Sequence, residues 1–227
     1  MLVLIAMLGK NISVSILDAD FSQLRDTLDA LIAVGPFMLH YDVIDGYFAP
    51  ELSFGKPVIR SIESRWKIPS EVHLMVRDPA PFIRSFYDIE RVETIYFHLE
   101  SSGSVPENIK MIKSGGKLAG IAINPETEAS AIENYLGQIS SVLVLLVKPG
   151  KGGQEMDERA LKKVSALNEM RGKLKFSILV DGGIKLNNLK EVIMSGPDRL
   201  VIGSAIMKSG NPPAALRDFL DYKNTSL

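Results

Sequence analysis

Short runs dense in apolar and β-branched residues recur along the chain: NISVSIL, FMLHYDV, EVHLMV, TIYFHL, LAGIAI, VLVLLV, FSILV and RLVIG. Between them lie stretches such as FSQLRDTLDALIAV and ERALKKVSALNEM, whose apolar positions return every three or four residues. The first pattern is that of strands and the second that of amphipathic helices. Several strand runs are apolar at consecutive positions, so both faces are buried, as in a parallel sheet with helices outside and packed side chains inside. About eight βα units follow one another, the number that closes a parallel barrel. An open, doubly wound sheet would produce a similar alternation. No linker, composition break or low-complexity tract divides the 227 residues, so one α/β domain is expected over residues 10–227.

The polar residues inside the strand runs decide between the two architectures. A barrel collects its chemistry at the C-terminal ends of its strands. Here Ser15 sits late in the first run, His40 and Asp42 in the second, His73 in the third, and Asp181 closes the seventh. Side chains alternate along a strand, so His40 and Asp42 share a face, as do Ser13 and Ser15. With those faces turned inward the groups surround one small volume, and a single (β/α)8 TIM barrel is the predicted fold.

A lone His in a strand is more often a hydrogen-bonded core residue than a ligand. His98, ending the fourth run, keeps that reading, or serves as hydrogen-bond partner to a ligand. Asp45, followed by Gly46, reads as a turn residue. Two imidazoles and two carboxylates converging at strand ends are another matter, because burying that set without a cation is costly. Mixed nitrogen and oxygen donors suit Zn2+, Fe2+, Mn2+ or Co2+ better than Mg2+ or Ca2+. The late loops carry a second signal: KPGKGGQ follows the sixth run, DGG the seventh and IGSA the eighth. Glycine lets backbone N–H groups approach an anion closely, and barrels frequently hold phosphate after strands seven and eight. Gly153, Gly182, Gly183, Gly203 and Ser204 are therefore expected phosphate contacts, with Lys151 nearby as a point charge, and Gly150 and Gly152 are expected to line the substrate site with them.

Composition narrows the partners. Lys and Arg number 26 against 27 Asp and Glu, a formal net charge of −1 with no basic stripe to follow a phosphate backbone, so nucleic acid is excluded as the expected partner. The chain has no Cys, which excludes disulfides and thiolate metal sites and fits a reducing cytoplasm. The opening MLVLIAML is too short to span a bilayer and lacks a basic lead, so residues 1–9 read as an apolar extension, with Met7 as an alternative start, and no membrane partner is expected.

Taken in order, SVSILDADF, HYDVIDGYFAPELSFG, VHLMV, INPET, KPGKGGQ, VDGGI and VIGSAI resemble the ribulose-phosphate 3-epimerase family over nearly the whole chain after the extension. The resemblance implies an isomerase of carbohydrate metabolism, in the pentose phosphate pathway, acting as a homo-oligomer. It implies one divalent metal ion per chain on His40, Asp42, His73 and Asp181, with Asp42 and Asp181 as the two acid/base groups. Ser15, His73 and Asp181 would touch substrate. Inverting the carbon beside a ketone removes a proton from one face and returns one to the other, so two carboxylates must flank a planar enediolate. The expected reaction interconverts D-ribulose 5-phosphate and D-xylulose 5-phosphate. The alternatives are the same reaction on a ketohexose phosphate such as allulose 6-phosphate, a lyase resembling hexulose-phosphate synthases, and a sugar-phosphate-binding pseudoenzyme. Compared with many members, this chain has Asp18 for Ser, Ile44 and Leu145 for Met, Glu51 for Asn, and Lys151 for an aromatic. Asp18 and Glu51 are expected to add acidity near the sugar end.

Overall fold

The computed structural model describes residues 11–225; the expected extension and the alternative start at Met7 lie outside the described residues. Eight parallel strands close into a barrel in chain order. They are β1 (Ile12–Ser15), β2 (Met38–Ile44), β3 (Ser70–Met75), β4 (Val92–His98), β5 (Leu118–Ile123), β6 (Ser141–Leu145), β7 (Ser177–Asp181) and β8 (Arg199–Ile202). The barrel, rather than the open sheet, is therefore the fold. The helices α1 (Leu24–Val34), α2 (Lys56–Arg65), α3 (Pro79–Ser85) and α4 (Val105–Ser114) follow the first four strands, and α5 (Leu161–Arg171), α6 (Leu189–Met194), α7 (Ser204–Met207) and α8 (Pro212–Thr225) the last three. After β5 the connection is a 3-10 helix, Ala129–Gln138, which still buries Ala129, Ile132 and Leu136 at a spacing of three to four residues.

Local sequence explains several helix starts. Pro stands in the first turn of α2, α3 and α4, where its missing N–H has no helical partner to lose. Asp78 and Ser104 cap α3 and α4 by accepting from the backbone N–H of Ala80 and Glu107. Among the described residues, no helix is long and apolar enough to cross a membrane.

Strand alternation sorts the core into two compartments. Leu39, Tyr41 and Val43 of β2, Val72 and Leu74 of β3, and Val142 and Val144 of β6 join the large cluster between sheet and helices. The opposite parity fills the barrel interior, and that interior is divided. Tyr96, Ala122, Leu143, Leu145, Leu179 and Val201 make an apolar patch drawn mainly from β5 to β8. Most of the buried polar groups come from β1 to β4, among them Ser13, Ser15, His40, Asp42, Glu71, His73 and His98, while Ser141 on β6 bonds the Tyr96 hydroxyl. Gly120 on β5 leaves room for the Tyr96 ring, since a Cβ there would lie 2.3 Å from it.

Candidate active site

The parallel register sets Ser15 beside His40 and Asp42 beside His73. Asp181 arrives on β7, paired with Leu145 on one side and Val201 on the other. One ligand-type atom from each of His40, Asp42, His73 and Asp181 falls within 4.8 Å of the other three. His40 Nδ1 lies 2.8 Å from Glu71 Oε1, and Glu71 Oε2 accepts from Arg199 Nη1 at 2.8 Å. That carboxylate fixes the His40 tautomer with its proton on Nδ1, leaving Nε2 bare. His40 is fully buried, and its Nε2, 3.4 Å from Asp42 Oδ1, makes no hydrogen bond. An orphaned imidazole nitrogen facing two carboxylates and a second imidazole fits a divalent transition metal, so the donor set and the implied ion agree.

Asp42 is the hinge of the cluster. Its Oδ2 accepts from Ser15 Oγ at 2.6 Å and its Oδ1 lies 3.0 Å from His73 Nδ1. Behind it, Ser53 Oγ donates to the Asp42 carbonyl at 2.5 Å and accepts from Ile44 N–H at 3.0 Å, tying the β2 end to the following loop. Burial alone would raise the Asp42 pKa, but the charge and hydrogen bond of His40, with His73, outweigh it and hold the carboxyl far below the usual range. Asp181 is shifted the opposite way: burial first and the negative charge of Asp42 second push it up to about 7. Burial lowers His73 to about 4, against the pull of Asp42, so this imidazole is neutral. For His40, burial is overcome by Asp42 and Glu71, and its pKa stands well above the ordinary value.

These directions set a pH dependence. In the folded, metal-free chain Asp181 keeps its proton to higher pH than in the unfolded chain. Metal-free protein should therefore lose stability as pH rises from the ordinary carboxylate range through about 7. His40 acts in the same direction, because its raised pKa favours the folded state only while the ring is protonated. A cation needs both groups deprotonated, so divalent-metal affinity is expected to fall as pH drops below 7. Chelator competition from pH 6 to 8 measures this, and an affinity that rises on acidification would contradict the assignment.

Above the cluster opens a cleft whose walls include Ser15, Asp42, His73, Gly150, Lys151, Gly152, Gly153, Asp181, Gly182, Gly183, Gly203 and Ser204. All the expected substrate contacts thus meet in one place. The loops are shaped for glycine: Gly183 has φ 67°, and a Cβ there would lie 2.5 Å from the Met156 backbone nitrogen. Gln154 Nε2 donates to the Lys148 and Lys151 carbonyls at 2.7 and 2.6 Å, clipping the β6 loop into a tight turn. Met75, Leu145 and Val201 supply apolar wall. Asp18 also lines the cleft, but Lys208 Nζ lies 2.6 Å from its Oδ1, so its charge is paired. Glu51 is exposed and is absent from the cleft wall, so the expected acidity at the sugar end reduces to one neutralised residue. Asp45 is a turn residue, accepting from the backbone N–H groups of Tyr47, Phe48 and Arg77.

The profile of the ribulose-phosphate 3 epimerase family matches residues 11–207. The chain belongs to the ribulose-phosphate 3-epimerase family. Ribulose-phosphate 3-epimerase of Aquifex aeolicus is 36% identical over 210 residues, covering 92% of this chain and 94% of the relative. The enzyme of Treponema pallidum is 40% identical over 193 residues, covering 84% and 88%. Among solved structures, KGPDC from Streptococcus mutans superposes with a TM-score of 0.73 over 95% of this chain and 98% of its own, at 14% identity, a likeness of fold. As a member of this family of epimerases, the chain is an isomerase acting on carbohydrate.

In this family member three groups around the site lie outside the residues expected from its sequence. Glu71 precedes His73 by two residues and shares its face, the same signal that paired His40 with Asp42. Arg199 opens β8 on the inward face and meets Glu71 from across the barrel. Lys208 follows the β8 loop, and nothing in its local sequence marks it as the counter-ion of Asp18.

Proposed function

We propose that the chain is a metal-dependent 3-epimerase of a phosphorylated ketose and interconverts D-ribulose 5-phosphate and D-xylulose 5-phosphate. The observation that carries this reading is the clustering of four ligand-type atoms within 4.8 Å, at the floor of a cleft walled by three glycine loops. Family membership supplies the reaction class. His40 through Nε2, His73 through Nδ1, and the carboxylates of Asp42 and Asp181 would hold the ion. A divalent ion there supplies positive charge beside the sugar oxygens on which charge develops.

The rest falls to this chain's own groups. Asp42 and Asp181 stand on β2 and β7, on opposite sides of the cleft floor, where one can remove the C3 proton and the other return a proton to the opposite face. Ser15 holds Asp42 in place. Their surroundings differ: the Asp42 side chain is 4% exposed and Asp181 18%, so Asp181 is the better placed to exchange its proton with solvent. Met75, Leu145 and Val201 keep water from the planar intermediate. Backbone N–H groups of Gly153, Gly182, Gly183, Gly203 and Ser204, with Lys151, would receive the phosphate, fixing the distance from phosphorus to the reacting carbon. Assay of metal-loaded protein against a panel of ketose phosphates tests the reading, and D-ribulose 5-phosphate should give the highest kcat/KM. A higher value for a ketohexose phosphate would replace the substrate and leave the chemistry intact.

A further inference from the structure

His73 is bonded on both sides. Its Nδ1 lies 3.0 Å from Asp42 Oδ1, and its Nε2 lies 2.9 Å from His98 Nε2. His98 Nδ1 lies 3.1 Å from Glu100 Oε2, and Glu100 Oε1 accepts from the backbone N–H of Asn124 at 2.9 Å and from the Thr127 hydroxyl. Both imidazoles are fully buried, and the Phe48 ring packs over His98 with centroids 4.5 Å apart. A line of four side chains, Asp42, His73, His98 and Glu100, thus runs from β2 through β3 and the end of β4 to the loop beyond it.

Counting protons along this line shows what it does. Three contacts, Asp42 to His73, His73 to His98 and His98 to Glu100, each require one proton to be hydrogen bonds. Two neutral imidazoles carry two. Without a cation, one end must face acceptor to acceptor, and a cation between His73 Nδ1 and Asp42 removes that conflict. The direction of the remaining protons is then forced from the far end. The Asn124 N–H cannot reverse its role, and the Glu100 carboxylate only accepts, so His98 donates from Nδ1. Its bare Nε2 accepts from His73 Nε2–H, and His73 Nδ1 is left bare toward the cluster.

Resting on the metal-dependent reading above, we infer that Glu100, acting through His98, is a positioning residue that keeps His73 Nδ1 unprotonated and ready for a cation. Replacing Glu100 by Gln should reverse the line. The amide oxygen must take the place facing the Asn124 N–H, which turns the amide NH2 toward His98 Nδ1. His98 then donates from Nε2 to His73 Nε2, and His73 donates from Nδ1 to Asp42. All three contacts are satisfied with no cation, so the variant should fold as well as wild type while binding metal more weakly, by about 10- to 100-fold for loss of an outer partner of this kind.

The chain has three His, so the ring nitrogens of 15N-histidine-labelled protein can be assigned and followed by NMR. In wild-type protein titrated with Zn2+, His73 Nδ1 should appear metal-bound and His98 should carry its proton on Nδ1. In Glu100→Gln the His98 proton should move to Nε2, and chelator competition should show the weaker Zn2+ affinity with a melting temperature in the absence of metal no lower than that of wild type. Wild-type Zn2+ affinity in the variant, or weakened affinity with His98 still protonated on Nδ1, overturns the role of Glu100. The wild-type spectrum is a test that needs no variant: His98 protonated on Nε2 in Zn2+-loaded protein also overturns it. Uptake of Zn2+ that leaves the His73 signals unmoved would instead sink the metal reading.

Discussion

Ketose phosphate turned over in D2O by the wild-type chain is expected to gain deuterium at C3 as its epimer forms, and Asp181→Asn is expected to stop inversion. The returning proton comes from a carboxyl with access to solvent, which is why the label enters at that carbon. An amide in place of Asp181 can still accept a hydrogen bond from its surroundings but can carry no proton to carbon. The loss in kcat should be at least the 100- to 10,000-fold typical of a missing acid/base group, about 3 to 5 kcal/mol of barrier, with KM little changed. Metal content has to be measured on the same sample, because Asp181 is also one of the four clustered ligand candidates. A metal-replete Asp181→Asn that epimerises at the wild-type rate would defeat the two-base assignment. A wild type that neither inverts nor exchanges any ketose phosphate would favour a binding protein that has kept the barrel.

The second large effect concerns the imidazoles. Protein prepared without chelator should hold about one divalent transition metal per chain, and the double variant His40→Ala, His73→Ala should hold none. With the positive charge gone from beside the sugar oxygens, kcat should fall about a thousandfold or more, since such charge stabilisation is worth several kcal/mol. Chelated wild type should match the variant and recover on adding metal, whereas the variant should not. Elemental analysis and single-turnover rates check the pair. Wild-type metal content in the double variant would remove both residues as ligands. The variant also leaves Glu71 without its partner in the interior, although Arg199 still neutralises that carboxylate, so a lower melting temperature is expected alongside the lost metal.

The barrel was legible because its strands are buried on both faces, and a run such as VLVLLV can hardly be anything but a parallel strand once amphipathic stretches flank it. The connection after β5 was the weaker part, since apolar residues at Ala129, Ile132 and Leu136 suit a 3-10 or an α-helix equally. At the site, pairs on one strand were readable from parity alone. Contacts across strands were not, because they depend on register: β3 shifts against β4 between Ser70 and Glu71, which pairs His73 with Tyr96, and His98, two residues further along β4, meets His73 only through the two ring nitrogens. Glu100 lies beyond the end of β4, where alternation no longer says which way a side chain turns. Asp18 read as an intrusion of charge because its cation, Lys208, is remote in sequence, and only the folded chain shows the two loops meeting over Gly152.

The uneven barrel interior bears on how the chain could assemble. Most of the interior polar groups hang from the first four strands and most of the apolar ones from the last four; Ser141 and Arg199 are polar exceptions on β6 and β8, and Asp181 reaches the cluster from β7. Three of the four clustered donors are therefore on adjacent strands in the first third of the chain, available to one another as soon as β2 and β3 pair, and the fourth arrives only when the ring is shut. An ion held by the first three would gain its last ligand only as the barrel closes, adding a link between the halves of the chain to the β4–β5 and β1–β8 pairings and the Glu71–Arg199 ion pair.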